Sequence, residues 1–245
     1  MTKKFLIIFT LFSCFTKPII AQADYHFGFQ ASPSFSWLTN DNPKINGNGS
    51  LLGLKLGLIV EKRFSDNYSL MTGVAFHFNS GGKLIYDLPG NYWGNSAANA
   101  TIPYRSNDTF QIGTELKYNL KYIEIPIGLK MRTQEFGPIR YFAEPALYFD
   151  FRADAKGTIT GSPHFDQEKI NISNDVGFLN ISWALGIGVE YTIATNTTLI
   201  GGIYFQQGLI DIQKDSNKEY TSSGAKADAS KAVINAITFK CGIMF

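Results

Sequence analysis

The residues able to do chemistry in this chain are few and scattered. Its histidines are His26, His77 and His164, and its cysteines are Cys14 and Cys241. A hydrolytic centre needs a nucleophile, a histidine base and an orienting acid within hydrogen-bond reach. Ser32, Ser34 and Ser36 follow His26 closely, which opens that reading. Metal binding needs converging Cys, His or acidic ligands. His164 with Asp166 and Glu168 in "GSPHFDQE" is a weak grouping that reads as a solvated loop. A second set is ionic: Glu124, Lys130, Arg132, Arg140, Glu144, Asp150, Glu190 and Lys240 punctuate otherwise apolar stretches. If buried, they must pair, because an isolated buried charge is expensive. A third set is aromatic: "YDLPGNYWGNSAANATIPY" sets Tyr86, Tyr92, Trp93 and Tyr104 among Asn, Gly and Pro. Such residues suit glycan or protein recognition, or else fold back onto the domain.

The elements that must position these groups show in the alternation of side chains. In "ISWALGIGVEY" (181–191) every second residue is large and apolar, and those between are Ser182, Ala184, Gly186, Gly188 and Glu190. The same period of two, the mark of a strand, recurs in eight segments: 25–38, 51–63, 68–79, about 119–132, 139–152, the one containing 181–191, 198–210 and 233–245. Connections alternate between short (64–67, 133–137, about 193–197) and long (about 39–50, 80–118, 153–176 and 211–232). That rhythm predicts an all-β fold: an eight-stranded antiparallel up-and-down transmembrane barrel with short periplasmic turns, long extracellular loops and both termini periplasmic. Closure removes strand edges, which lipid requires.

Composition agrees. Charged residues are 17% of the chain, against about 25% in soluble proteins, and no internal run is long enough for a transmembrane helix. The net charge of +2 is too small to imply a nucleic-acid partner. Residues 1–23 read as a signal peptide: Lys3 and Lys4, the run "FLIIFTLFSCF", then "PIIAQA", with cleavage after Ala21 or Ala23. A lipoprotein signal ending at Cys14 is the rival reading. The barrel then occupies 24–245. Loss of the leader removes three lysines and no acid, taking the charge from +2 to −1. Cys241 is left alone, so no internal disulfide and no structural zinc are expected.

The register assigns each candidate a face. Tyr25, Tyr68, Tyr141, Tyr191 and Phe245 fall on the outward stripe at one end, and Trp37, Phe78, Phe149 and Phe151 at the other, as interfacial girdles require. All eight ionic candidates fall inward, together with Lys55, Glu61, Arg63 and Arg152, where eight strands leave room only for side chains. A plugged lumen held by ion pairs is expected. His26, His77 and the serines of 25–38 also fall inward, away from any lipid ester, so no catalytic residue, cofactor or metal is assigned.

At "YIEIPIGLKMR" (122–132) and "YFAEPALYFDF" (141–151) the chain resembles the PorT-like family of outer-membrane β-barrels, which carry a Tyr-x-Glu-Ile-Pro strand; "AEPA" departs from the family's Gly-Pro centre. The resemblance implies residence in a Gram-negative outer membrane. It also implies that Phe245, an aromatic at the chain end, is the signal read by the barrel-assembly machinery. The expected role is non-enzymatic: outer-membrane lipid as surroundings, with loops presented or a protein docked in an envelope or secretion complex. A small porin or solute transporter is the alternative, and a lipid A-modifying enzyme the next.

Overall fold

The computed structural model describes residues 25–87, 89–97, 110–161, 167–214, 218–221, 224–227 and 230–245. The expected leader, Tyr104, His164 and Asp166 lie outside them. In chain order the elements are β1 (Tyr25–Asn40), β2 (Ile45–Gly47), β3 (Ser50–Arg63), β4 (Tyr68–Tyr86), β5 (Gly90–Asn91), α1 (Gly94–Ala97), β6 (Thr114–Arg132), β7 (Ile139–Thr160), β8 (Gln167–Asn171), β9 (Leu179–Ala194), β10 (Thr197–Gly208), β11 (Lys218–Thr221), β12 (Gly224–Ala227) and β13 (Ala232–Met244).

Among the described residues eight strands close into an antiparallel barrel in the order β1-β3-β4-β6-β7-β9-β10-β13, and β13 returns to β1. Short turns join the strands on one side, and long connections carrying β2, β5, α1, β8, β11 and β12 join them on the other. Every second residue of the barrel wall faces out. Phe27, Phe29, Leu52, Leu58, Phe76, Leu185, Ile187 and Ile203 are exposed, as a lipid-facing surface must be, while their neighbours are buried. The small inward residues of β9 leave room for specific partners. A Cβ on Gly186 would stand 2.2 Å from the Tyr204 ring, and one on Gly188 would stand 2.5 Å from Phe142.

Three strands run further than the alternation predicted. Strand β4 continues to Tyr86, β6 begins at Thr114, and β7 reaches Thr160, so 80–86, 114–118 and 153–160 are barrel wall rather than loop. Two irregularities explain the shortfall. The β4–β6 register shifts between His77 and Ser80, with Asn79 and Gly81 in the left-handed region. The β6–β7 register shifts where Lys121 pairs with Asp154 and Tyr122 with Arg152. A bulge adds one residue and reverses which positions face inward.

The chemistry of the two faces also reverses there. On β6, outward residues Ile123, Ile125, Ile127, Leu129 and Met131 give way to Lys121, Asn119, Lys117 and Glu115. Inward, Glu124, Lys130 and Arg132 give way to Tyr122, Leu120, Tyr118 and Leu116. Toward the turns the wall is apolar outside and charged inside. Toward the loops it is polar outside and apolar inside, as in a protein surrounded by water. The exchange marks where hydrocarbon ends. The largest apolar cluster, including Leu38, Leu84, Trp93, Phe110, Leu116, Leu120 and Ile234, lies in this loop-side extension.

Candidate functional site

The inward ionic residues form one layer after another inside the wall. Lys130 is 0% exposed; its ammonium lies 2.9 Å from Glu61, 3.1 Å from Glu190 and 3.8 Å from Glu144. The Arg132 guanidinium reaches Glu190 at 2.6 Å through Nε and Ser69 at 2.6 Å through Nη1, and its Nη2 also bonds Glu61. Lys240 donates to Glu144 and to the Tyr204 hydroxyl, each at 3.3 Å. Three carboxylates therefore meet three cations. Phe142 and Tyr204 add aromatic faces, 5.0 Å from Lys130 and 4.7 Å from Lys240. Polar groups removed from water this thoroughly persist only when their hydrogen bonds are made within the protein.

One layer toward the loops the balance differs. Lys55 holds Glu124 at 2.5 Å and Gln206 at 3.0 Å, and Gln206 donates to Ser182. Asp150, directly across from Glu124 in the ladder, accepts from Asn180 at 2.8 Å. Of these two carboxylates Lys55 thus reaches Glu124 alone, and Asp150 has no ion pair among the described residues. Glu124 Oε1, Asp150 Oδ1, Asn180 Oδ1 and the Tyr122 hydroxyl have no protein partner among the described residues.

Seven of the eight ionic candidates enter these layers. Arg140 does not. It lies at the turn-side rim, where it pairs with Glu135 at 2.5 Å and borders the mouth beside His26 and Arg63. As the second residue of β7 it falls one step outside the buried cross-section. Lys55 and Glu61, which the register of 51–63 also turns inward, complete the pairing across β4.

For three of the four loop aromatics the second of the two readings holds and recognition by an exposed ring does not. Tyr86 and Tyr92 are 0% exposed and Trp93 is 1%, so as placed they offer no face to a ligand; Tyr104 lies outside the described residues. Tyr86, Tyr92 and Trp93 fold into the barrel mouth. Trp93 stacks edge-on to Tyr118 at 5.3 Å, Tyr86 meets Tyr92 at 3.9 Å, and Gln213 donates to the hydroxyls of Tyr86 (3.0 Å) and Tyr118 (2.7 Å). Gly157 makes the seat: a Cβ there would stand 2.4 Å from the Trp93 ring. Asp175 then ties the loops together, accepting from the Asn95 and Ser96 amides at the start of α1 at 2.9 and 2.7 Å. Burial pushes the Tyr118 hydroxyl up to about 12 and raises Tyr86 well above the usual tyrosine range.

One pairing was not foreseen. Ser34 Oγ and His77 Nε2 lie 2.9 Å apart, both buried. Both positions face inward, and β3 lies between their strands. The residue opposite His77 on β3 is Lys55, a cation where a triad would need an acid. Phe245 sits outward and exposed, with ladder bonds to Phe27 at 2.7 and 3.3 Å.

A closed strand circuit with an apolar belt outside and a charged lumen inside defines an integral outer-membrane β-barrel protein. The chain belongs to the family described as outer membrane protein β-barrel domain, which it matches over residues 20–214. No curated protein matches its sequence. Solved structures similar to it include neisserial surface protein A, with 14% identity, 89% of this chain and 95% of that one covered, and a TM-score of 0.42. The attachment invasion locus protein Ail of Yersinia pestis shows 11% identity, 90% and 98% coverage and a TM-score of 0.40. The outer membrane protease OmpT of Escherichia coli shows 10% identity, 90% and 96% coverage and a TM-score of 0.39.

Proposed function

We propose that this protein is a closed, non-enzymatic outer-membrane barrel that presents its folded loop-side cap to a protein partner of the cell envelope. What supports this reading is burial at two levels of the interior, in the ion layers around Lys130 and in the apolar cluster around Trp93. A barrel sealed in this way acts through its outer surfaces. Against a solute pore stands the burial of Lys130, Arg132, Glu144 and Glu190. Against an ester hydrolase stands the placement of Ser34 and His77 in the lumen, away from lipid. In this reading residues 1–23 direct export, both chain ends face the periplasm, and the likeness to PorT-like barrels at 122–132 favours a secretion or envelope complex as the setting.

Topology and docking are tested together in cells. Ser96, a loop position by sequence, is buried against Asp175 and unsuitable for labelling; Gln111 and Asp66 are exposed on opposite sides. Gln111→Cys should react with an impermeant thiol reagent in intact cells, and Asp66→Cys only after the outer membrane is opened. A photo-cross-linking residue at the exposed Ile112 should give one discrete protein adduct. Labelling of Asp66→Cys in intact cells contradicts the topology. No adduct, together with lipid A whose mass changes when the protein is expressed, contradicts the docking role and favours the enzyme.

A further inference from the structure

The outer wall of the loop-side extension carries a basic hollow. It is a cavity of about 360 Å³ lined by Lys117, Asn119, Lys121, Lys156, Thr158, Glu168 and Lys169. Lys121 pairs with Asp154 at 3.1 Å while keeping 45% of its side chain exposed, and Lys156 touches the same carboxylate at 3.9 Å. Lys117 and Lys169 have no ion pair among the described residues. Among the described residues, four ammonium groups therefore face two carboxylates, Asp154 and Glu168, around the hollow, while Glu115, the next outward acid on β6, is taken by Lys83 at 2.9 Å.

Height decides what meets this surface. Lys121 is two residues above Ile123, the last lipid-facing residue of β6. Lys117 is four residues further, about 13 Å along the strand and roughly 10 Å in height at the usual barrel tilt. A phospholipid headgroup layer is only about 5–7 Å deep, so it would reach Lys121 and leave Lys117 beyond it. A phosphorylated saccharide headgroup carries anionic groups at several heights and spans the whole hollow. We infer that the hollow between β6, β7 and β8 binds the phosphorylated saccharide headgroup of an outer-leaflet glycolipid. Lys121 and Lys156 meet the phosphate nearest the hydrocarbon, and Lys117 and Lys169 meet charges further out. The lysines face sideways from the wall, toward neighbouring lipids, which suits a lateral partner. The assignment rests on the loop side facing outward, but its test in vitro does not.

The full chain, refolded into phosphatidylcholine vesicles, is compared with the K117Q/K121Q/K156Q/K169Q variant. All four positions are at least partly exposed, so the variant should show the same heat-modifiable mobility in these vesicles. Vesicles doped with lipopolysaccharide should raise the wild-type urea midpoint, and dephosphorylated lipopolysaccharide should not. Binding should weaken about fivefold per lysine removed, and more steeply at low salt. An equal midpoint gain for wild type and variant overturns the site. An equal gain from phosphatidylglycerol overturns the glycolipid assignment. Both results leave the cellular topology to its own labelling test.

Discussion

Lys130 lies 2.9 Å from Glu61, a residue 69 positions earlier in the chain, and neither side chain is accessible to water. The pair joins β6 to β3 across β4 and sits where the two charge sets balance. Lys130→Met leaves Glu61, Glu144 and Glu190 short of one cation, and should cost about 3–5 kcal/mol. Asp150→Asn acts in the layer where Lys55 pairs with only one of two facing carboxylates, and should be neutral or stabilising because it removes like-charge repulsion. Urea titration in lipid vesicles, read by heat-modifiable mobility, measures both. Equal losses for the two variants would mean that charge balance does not organise the lumen.

Leu185 and Gly186 are adjacent and face opposite solvents. Leu185 is 48% exposed on the lipid side, so Leu185→Arg should cost about 2–4 kcal/mol. Gly186 faces Tyr204, where even a methyl group collides at 2.2 Å, so Gly186→Ala should cost about 1–3 kcal/mol through overpacking. The two are separated by lipid: thinning the bilayer should lessen the first penalty and leave the second unchanged. A neutral Leu185→Arg would put the register of the whole barrel in error.

The cap should loosen in alkali. Burial holds the Tyr118 hydroxyl at about 12 in the folded protein, against about 10 when unfolded. A raised acid pKa means that the stabilisation is fully present below about pH 10 and is lost as pH rises through about 12, amounting to about 3 kcal/mol. Tyr86, raised as well, extends the loss further. Tyrosinate absorbance of wild type minus Tyr118→Phe should show one hydroxyl titrating near 12. Titration of that hydroxyl near 10 with Trp93 still buried would contradict the packing.

Much of this architecture was legible in the chain. A period of two needs no tertiary information, so the faces of 25–38, 51–63 and 181–191 could be assigned directly, and with them the inward positions of Glu124, Lys130 and Arg132. Their partners depend on how far each strand slides past the next on closure, which no local pattern encodes; hence Glu61 and Ser34–His77 were not paired in advance. The loop-side extension was hidden for another reason. The bulge after His77 reverses the phase of β4, and beyond Lys121 the outward face of β6 turns polar, so a search for one continuous apolar stripe stops at the membrane edge. The burial of Trp93 depends on the missing side chain of Gly157, some 60 residues away.

Planar-bilayer recording of the purified, refolded protein shows whether ions cross the buried lumen. With Lys130 and Glu144 both 0% exposed, the wild-type barrel should insert and give no steady ion conductance at either polarity. Stable, reproducible single-channel steps from the wild type would show that water and ions pass the Lys130 layer, and would contradict the closed barrel.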